Sequence, residues 1–234
     1  MLQPRSYPEY VAKALVLDDE PFQAMVDDDN PWMEGIVLVT TVSLLAGIAL
    51  AVGGFLTAAT LPDPAIALNA LLQGWRQFAS VTSLPPSQVE AIIADVWTVA
   101  AAFSGYAGSW SHFLPIITLP ILTLLWWIFF GIVAFGVARA MGGQGSLNAT
   151  MGASALIVAP LVFHVAAIVP FAGVSGMMVS IWGMLIGYRA IHISHELTWR
   201  SAAWATVIVY LAALVALLLV TLAFSAGYAA GGYQ

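Results

Sequence analysis

The 234-residue chain contains no cysteine. That absence excludes disulfides, thiolate nucleophiles, thiolate metal sites and iron–sulfur clusters. Any metal or macrocycle would have to be held by His, Asp, Glu, Met or backbone oxygen. Charge is the second scarcity: charged residues make up 8% of the sequence, where soluble domains carry about 25%. What fills the chain instead is apolar, 61% of its residues with a mean hydropathy of +0.93. This composition is that of an integral membrane protein. The net charge of −6 is local, because seven of the twelve acids lie between Asp18 and Glu34. Such an acidic patch disfavours nucleic acid and direct contact with anionic lipid at that segment. The first thirty residues also lack the basic start and early apolar run of a signal peptide, so the first span is expected to do the targeting.

A hydrocarbon core about 30 Å thick asks for roughly 20 apolar residues per helix. Five stretches meet it: Gly35 to Thr60, Phe113 to Met141, Ala149 to Val169, Val174 to Ile191, and Ala202 to Ala226. None contains Asp, Glu or Lys, and Arg139 and Arg189 lie near span ends, where their heads are expected to reach water. The predicted fold is an all-α, five-span membrane bundle. Cytoplasmic flanks carry the excess of Lys and Arg, and an inside N-terminus puts Lys13, Arg139, Arg189 and Arg200 there and only Arg76 outside. The N-terminus is therefore expected in the cytoplasm and the C-terminus outside, with Trp32, Trp110, Trp199, Trp204 and Tyr228 as interfacial anchors. Residues 1–34 form a cytoplasmic lead-in, residues 35–226 the membrane domain, and residues 227–234 a tail.

Residues 61–111 form an insert on the outer side. Asp63-Pro64 starts one predicted amphipathic helix, with Leu68, Leu71, Leu72, Trp75, Phe78 and Ala79 at helical spacing. A second follows Pro85-Pro86, where Ser87 and Glu90 fit a capping box before the stripe Ile92, Ile93, Val96, Trp97, Ala100 and Phe103. In the lead-in, Tyr10 to Leu17 and Pro21 to Val26 are predicted as short helices, with Asp19 and Asn30 as caps.

Few residues offer chemistry. His164 interrupts the third span, six residues before Pro170. One reading makes it a polar contact between helices, bonded to a hydroxyl or to a carbonyl such as that of Pro160. The other makes it an axial ligand to haem or a chlorophyll-type pigment, with Ala166 and Ala167 leaving room. His192, His195 and Glu196 share a face if the fourth helix continues through them, which offers three metal ligands. Interfacial anchoring is the simpler use of that segment. Asp27-Asp28-Asp29 lacks the spacing of a calcium loop and reads as a solvated run beside a helix N-terminus. Gly173-Val-Ser-Gly176 matches the GxSG of rhomboid proteases around Ser175, but the later histidines fall at the opposite membrane face. Gly142-Gly-Gln-Gly145 lacks P-loop spacing and its lysine, so it is a turn. The spans also supply no carboxylate or lysine for ion coupling.

Helices in lipid associate through close packing of small residues. Gly176, Ser180, Gly183 and Gly187 supply such a face on the fourth span. Gly142-Gly-Gln-Gly145-Ser146, a span containing Pro160, Pro170 at its far end, Ile181-Trp182 and Gly187, followed by a His-rich connection, make up a pattern. It resembles the membrane domain of the YIP (Ypt/Rab-interacting protein) family, in its bacterial branch, best between about Leu119 and Ile208. The run "LVLDDEPFQAMVDDDNPWMEG" is similar to the family's amphipathic lead-in. The resemblance implies five membrane helices, a cytosolic N-terminus and a non-enzymatic protein that works through partners. The Asp-Leu-Tyr-Gly-Pro stretch of eukaryotic members is absent, so GTPase binding is not carried over. The expected function is an accessory or assembly subunit in a hetero-oligomeric complex of the bacterial cytoplasmic membrane, touching other integral membrane proteins and lipids. A pigment- or haem-carrying subunit using His164 is the alternative.

Overall fold

The computed structural model describes residues 6–60, 62–80, 86–103, 112–169 and 172–231. Two short helices, α1 (Tyr7–Leu15) and α2 (Glu20–Val26), precede α3 (Pro31–Thr60). α4 (Pro64–Ala79) and α5 (Pro86–Phe103) follow, then α6 (Leu114–Ala140) and α7 (Leu147–Ser154). A 3₁₀ segment (Ala155–Ile168) continues α7, and α8 (Gly176–His195) and α9 (Trp199–Gly231) complete the order. No strand occurs among the described residues. Five helices are long and apolar enough to cross a membrane: Pro31–Thr60, Leu114–Ala140, Leu147–Ile168, Gly176–His195 and Trp199–Ala223.

Local chemistry moves several boundaries from their predicted places. α1 begins a turn early because Pro8 fills one of its first two positions, where a missing N–H costs nothing. α3 begins at Pro31, with the Asn30 side chain accepting from Met33 N–H (3.4 Å). Asp19 does not cap α2 with its side chain; Asp18 accepts from Glu20 N–H instead (3.1 Å). Asp63 caps α4 through Ala65 N–H (2.8 Å). The capping box expected at α5 gives way to a clasp in which Glu90 accepts both Arg76 Nε (2.9 Å) and its terminal nitrogen (2.8 Å). The guanidinium holds the Glu90 carboxyl below its ordinary range. Pro85, Trp110 and Pro170, and the side chains of Phe103 and Tyr228, lie outside the described residues.

The third span is the most buried, 61% of its window against 17% in α9. Pro160 lacks an N–H, so an α-helix here would lose a hydrogen bond and kink. The chain tightens instead into 3₁₀ geometry over 14 residues. At about 2.0 Å per residue this stretch rises about 28 Å, where an α-helix would rise about 21 Å. In 3₁₀ geometry residues three apart eclipse, so Leu161 and Ala167, rather than Pro160, stand in line with His164.

The chain divides into two compact units. The first comprises Met1–Val39, Leu124–Pro160 and Ser180–Gln234. Its core is Trp127, whose indole N–H donates to the Met151 carbonyl (3.0 Å) and whose ring meets Trp32 edge-on at 5.8 Å. Trp32, expected at the membrane interface, donates to Asn148 Oδ1 (3.1 Å). A Cβ on Gly35 would lie 2.5 Å from Trp127 Cζ2, and one on Gly187 would lie 2.7 Å from Phe130 Cζ. A Cβ on Gly183 would fit, meeting the Ile157 carbonyl oxygen at an ordinary 3.5 Å. Ser180 is exposed. The second unit comprises Thr40–Thr123 and Leu161–Val179. There Gly47 lies against the Pro115 carbonyl and Gly53 against that of Ala167. Gly176 faces open space. On the small-residue face predicted for the fourth span, Gly187 is therefore the position where a close approach excludes a Cβ, and no side chain of the described residues fills the space beside Gly176.

Gly187→Leu should cost about 1–3 kcal/mol by overpacking Phe130, whereas Gly176→Ala should stay within about 0.5 kcal/mol of the parent. Equilibrium unfolding in mixed micelles measures both.

Candidate functional site

The first unit gathers most of the polar side chains that sequence reasoning singled out. α1 stops in a left-handed turn, where Leu17 N–H donates to the Ala14 carbonyl (3.0 Å) and Asp18 N–H to that of Lys13 (3.1 Å). Leu17 has φ 61°. Glycine usually takes this position, and a leucine there costs of order 1 kcal/mol. The turn offers its carbonyl to α8: Arg189 Nε donates to Leu17 O (3.2 Å). The same guanidinium pairs with Asp19 Oδ1, and two turns further in, Trp182 Nε1 donates to Leu15 O (2.9 Å). Arg189 makes this clasp near the end of its span with 25% of its side chain still exposed. Arg139 likewise caps the turn after its own helix, donating to Gly143 O (3.2 Å).

Two further contacts fix the lead-in. The Tyr7 hydroxyl donates to Glu34 Oε2 (2.6 Å), and burial, followed by that bond, pushes the phenol up. Phe22 and Met25 of α2 are wholly buried. α2 lies so close to α7 that a Cβ on Gly152 would stand 2.5 Å from the Met25 carbonyl oxygen.

Between α2 and the end of α8 lies a cavity of about 410 Å³, lined by Asp19, Gln23, Asp27, His192, Glu196 and Leu197. Arg189 balances Asp19. Asp27 and Glu196 are exposed and have no cationic partner among the described residues, so the cavity carries net negative charge. His192 Nδ1 lies 2.5 Å from the Leu197 carbonyl. A carbonyl only accepts, so Nδ1 donates this hydrogen bond. The ring stacks on Tyr188 at 6.0 Å.

His192 and Glu196 line this cavity together, but His195 does not join them as the continuing helix would require. α8 ends at His195, and Glu196 turns left-handed at φ 53°. His195 is buried and meets Thr150 Oγ1 at 2.7 Å. Thr150 already donates to the Ser146 carbonyl (2.8 Å), so it accepts from His195 Nε2. Glycines admit that ring: a Cβ on Gly145 would stand 2.8 Å from His195 Nδ1. Among the described residues no three His, Cys, Asp or Glu group to hold a metal ion. In the Asp27–Asp29 run, Asp28 Oδ1 accepts from Asn30 N–H (2.7 Å).

His164 lies in the second unit, half-buried. It has no hydrogen-bonding partner among the described residues, and the Pro160 carbonyl does not serve it. Ser175, weighed as a nucleophile, is exposed and immediately precedes α8, its carbonyl accepting from Val179 N–H (3.1 Å).

Sequence reasoning missed the clasp. Trp182 and Arg189 are seven residues apart, two helical turns on one face, and that spacing was the available signal. The pairing of Thr150 with His195, 45 residues apart, left none.

Helices of this length and apolarity make the chain a multi-pass membrane protein. The Yip1 domain model matches residues 15–221, from the end of α1 into α9, and the chain belongs to the Yip1 domain family. No curated protein and no solved structure matches it significantly.

Removing the guanidinium should free the lead-in. Arg189→Ala should cost roughly 1–2 kcal/mol and speed limited proteolysis between α1 and α3 about 5- to 30-fold. Arg189→Lys should restore little, because an ammonium cannot serve a carbonyl and a carboxylate with one planar fork.

Proposed function

We propose that this Yip1-family protein is a non-enzymatic membrane adaptor, an accessory or assembly subunit that holds other integral membrane proteins. It would sit in the cytoplasmic membrane of a bacterium with its N-terminus inside, as the distribution of Lys and Arg favours. The observation that carries this reading is the acidic cavity. Asp27 and Glu196 stand there with no ion pair of their own among the described residues, Asp27 on a lead-in that Arg189, Trp182 and Tyr7 hold in place and Glu196 just past the end of α8. Two carboxylates that do not converge on a metal suit an extended cation, namely a lysine or arginine side chain on a partner. The rim of α4 and α5 supports the same reading, since Ile66, Leu71, Phe78, Ile92 and Val96 are all exposed. Apolar residues left open in this way mark surfaces for lipid or protein.

Copies isolated in native lipid should carry a partner with a basic segment, and Asp27→Asn with Glu196→Gln should weaken that capture about three- to tenfold. Raising the salt concentration should mimic the double substitution. Recovery of a lone monomer from native lipid would sink this reading.

One observation favours a second reading: the half-buried His164 imidazole lacks a partner among the described residues. The imidazole could hold haem or a chlorophyll-type pigment. Visible spectra of the gently purified protein and of His164→Ala decide the matter. The adaptor reading expects no band in either; a band lost in the variant would establish the pigment.

A further inference from the structure

We infer that the groove between α8 and α9 is a binding site for an anionic glycerophospholipid, with an acyl chain in the groove and the phosphate on Arg200. The groove has a volume of about 260 Å³ and is lined by Met184, Leu185 and Tyr188 of α8 and by Trp199, Ala203 and Val207 of α9. Of the polar groups among its lining residues, the Thr206 hydroxyl is turned back on its own helix, donating to the Ala202 carbonyl (2.8 Å). The surface the groove presents to a ligand is almost wholly apolar. From Trp199 to Val207 it runs about 12 Å along α9, enough for a substantial part of an acyl chain. Both walls belong to helices of spanning length, so the medium around the groove is lipid.

The mouth has the opposite chemistry. Arg200 is exposed, and its guanidinium lies 5.1 Å from the centroid of the Trp199 ring. An aromatic face holds a cation without neutralising it. No carboxylate pairs with Arg200 among the described residues. The nearest acid in sequence, Glu196, lines the cavity with Asp27 instead. Thr198 caps α9, its hydroxyl accepting from Ser201 N–H (3.4 Å), and the first turn of the helix adds its positive dipole end. A cation at an interface, above an apolar slot of hydrocarbon depth, fits an amphiphile with an anionic head. A free phosphate would use the mouth and leave the slot unfilled.

The test uses the full chain in detergent with phosphatidylglycerol or phosphatidylcholine added, read by native mass spectrometry. The parent should retain phosphatidylglycerol preferentially. Arg200→Gln should lower its retention about fivefold, to the level of phosphatidylcholine. Ala203→Phe, which fills the slot, should abolish retention of both lipids, with an unfolding midpoint near the parent's. Inorganic phosphate at equal concentration should not compete. A diazirine-bearing phosphatidylglycerol on the unaltered chain gives a check that needs no variant: its adducts should concentrate on residues 184–207. Equal retention by the parent and both variants, competition by inorganic phosphate, or adducts spread evenly over the spanning helices would overturn the assignment.

Discussion

Close approach between helices is the constraint on which this structure depends. Surrounded by lipid, a leucine gains nothing by turning from hydrocarbon to protein, so association has to come from dispersion contacts at short range. The first unit solves this by setting large side chains against glycine. Trp127 lies on Gly35, Phe130 on Gly187, and Met151 on Gly131. Each pairing brings a backbone within reach of a ring or thioether that any Cβ would push away. The one polar obligation this creates, the buried Trp127 indole N–H, is met by the Met151 carbonyl. Trp127 is thus both the thickest wedge in the unit and a cross-link between α6 and α7.

With the bundle held by shape, charge is free for the lead-in. α1 and α2 are too short to be stable as isolated helices, and they persist because α8 supplies what they lack. Trp182 and Arg189 meet carbonyls at the end of α1, where a helix leaves its last acceptors unsatisfied. Leu17 accepts a strained backbone there, and the bond from Arg189 offsets that strain. The acidic residues gathered in this segment then fall into separate uses: Asp19 completes the clasp, Asp18 and Asp28 terminate turns, and Asp27 is left facing the cavity. A patch that looks uniform in composition is divided by geometry.

The spans were legible because a helix surrounded by hydrocarbon must be apolar throughout, and that signal is as long as the helix itself. The same property hid the site. With apolar residues on every face, no periodicity tells which side of α8 meets protein, and Gly176 and Gly187 look alike until one meets Phe130 and the other meets space. The cluster His192, His195 and Glu196 was drawn on an α-helix that stops at His195; His192 and Glu196 line one cavity, while His195 is buried against Thr150. Pro160 announced a departure from α geometry without saying which. The resulting 3₁₀ register removed the Pro160 carbonyl from beneath His164.

The turn from α8 to α9 shows how little sequence is needed to divide functions within one unit. Between Glu196 and Arg200 the chain spends three residues, yet the carboxylate lines a polar cavity with Asp27, while the guanidinium sits over Trp199 beside an apolar groove. Had α8 continued as a helix, positions 196 and 200 would have stacked at i and i+4 and joined in a surface ion pair worth a few tenths of a kcal/mol. The left-handed residue at 196 prevents this. It leaves one exposed charge of each sign without an ion pair among the described residues, each able to meet water or a counter-charge from outside the chain. The stop in α8 therefore gives one turn two sites of opposite polarity.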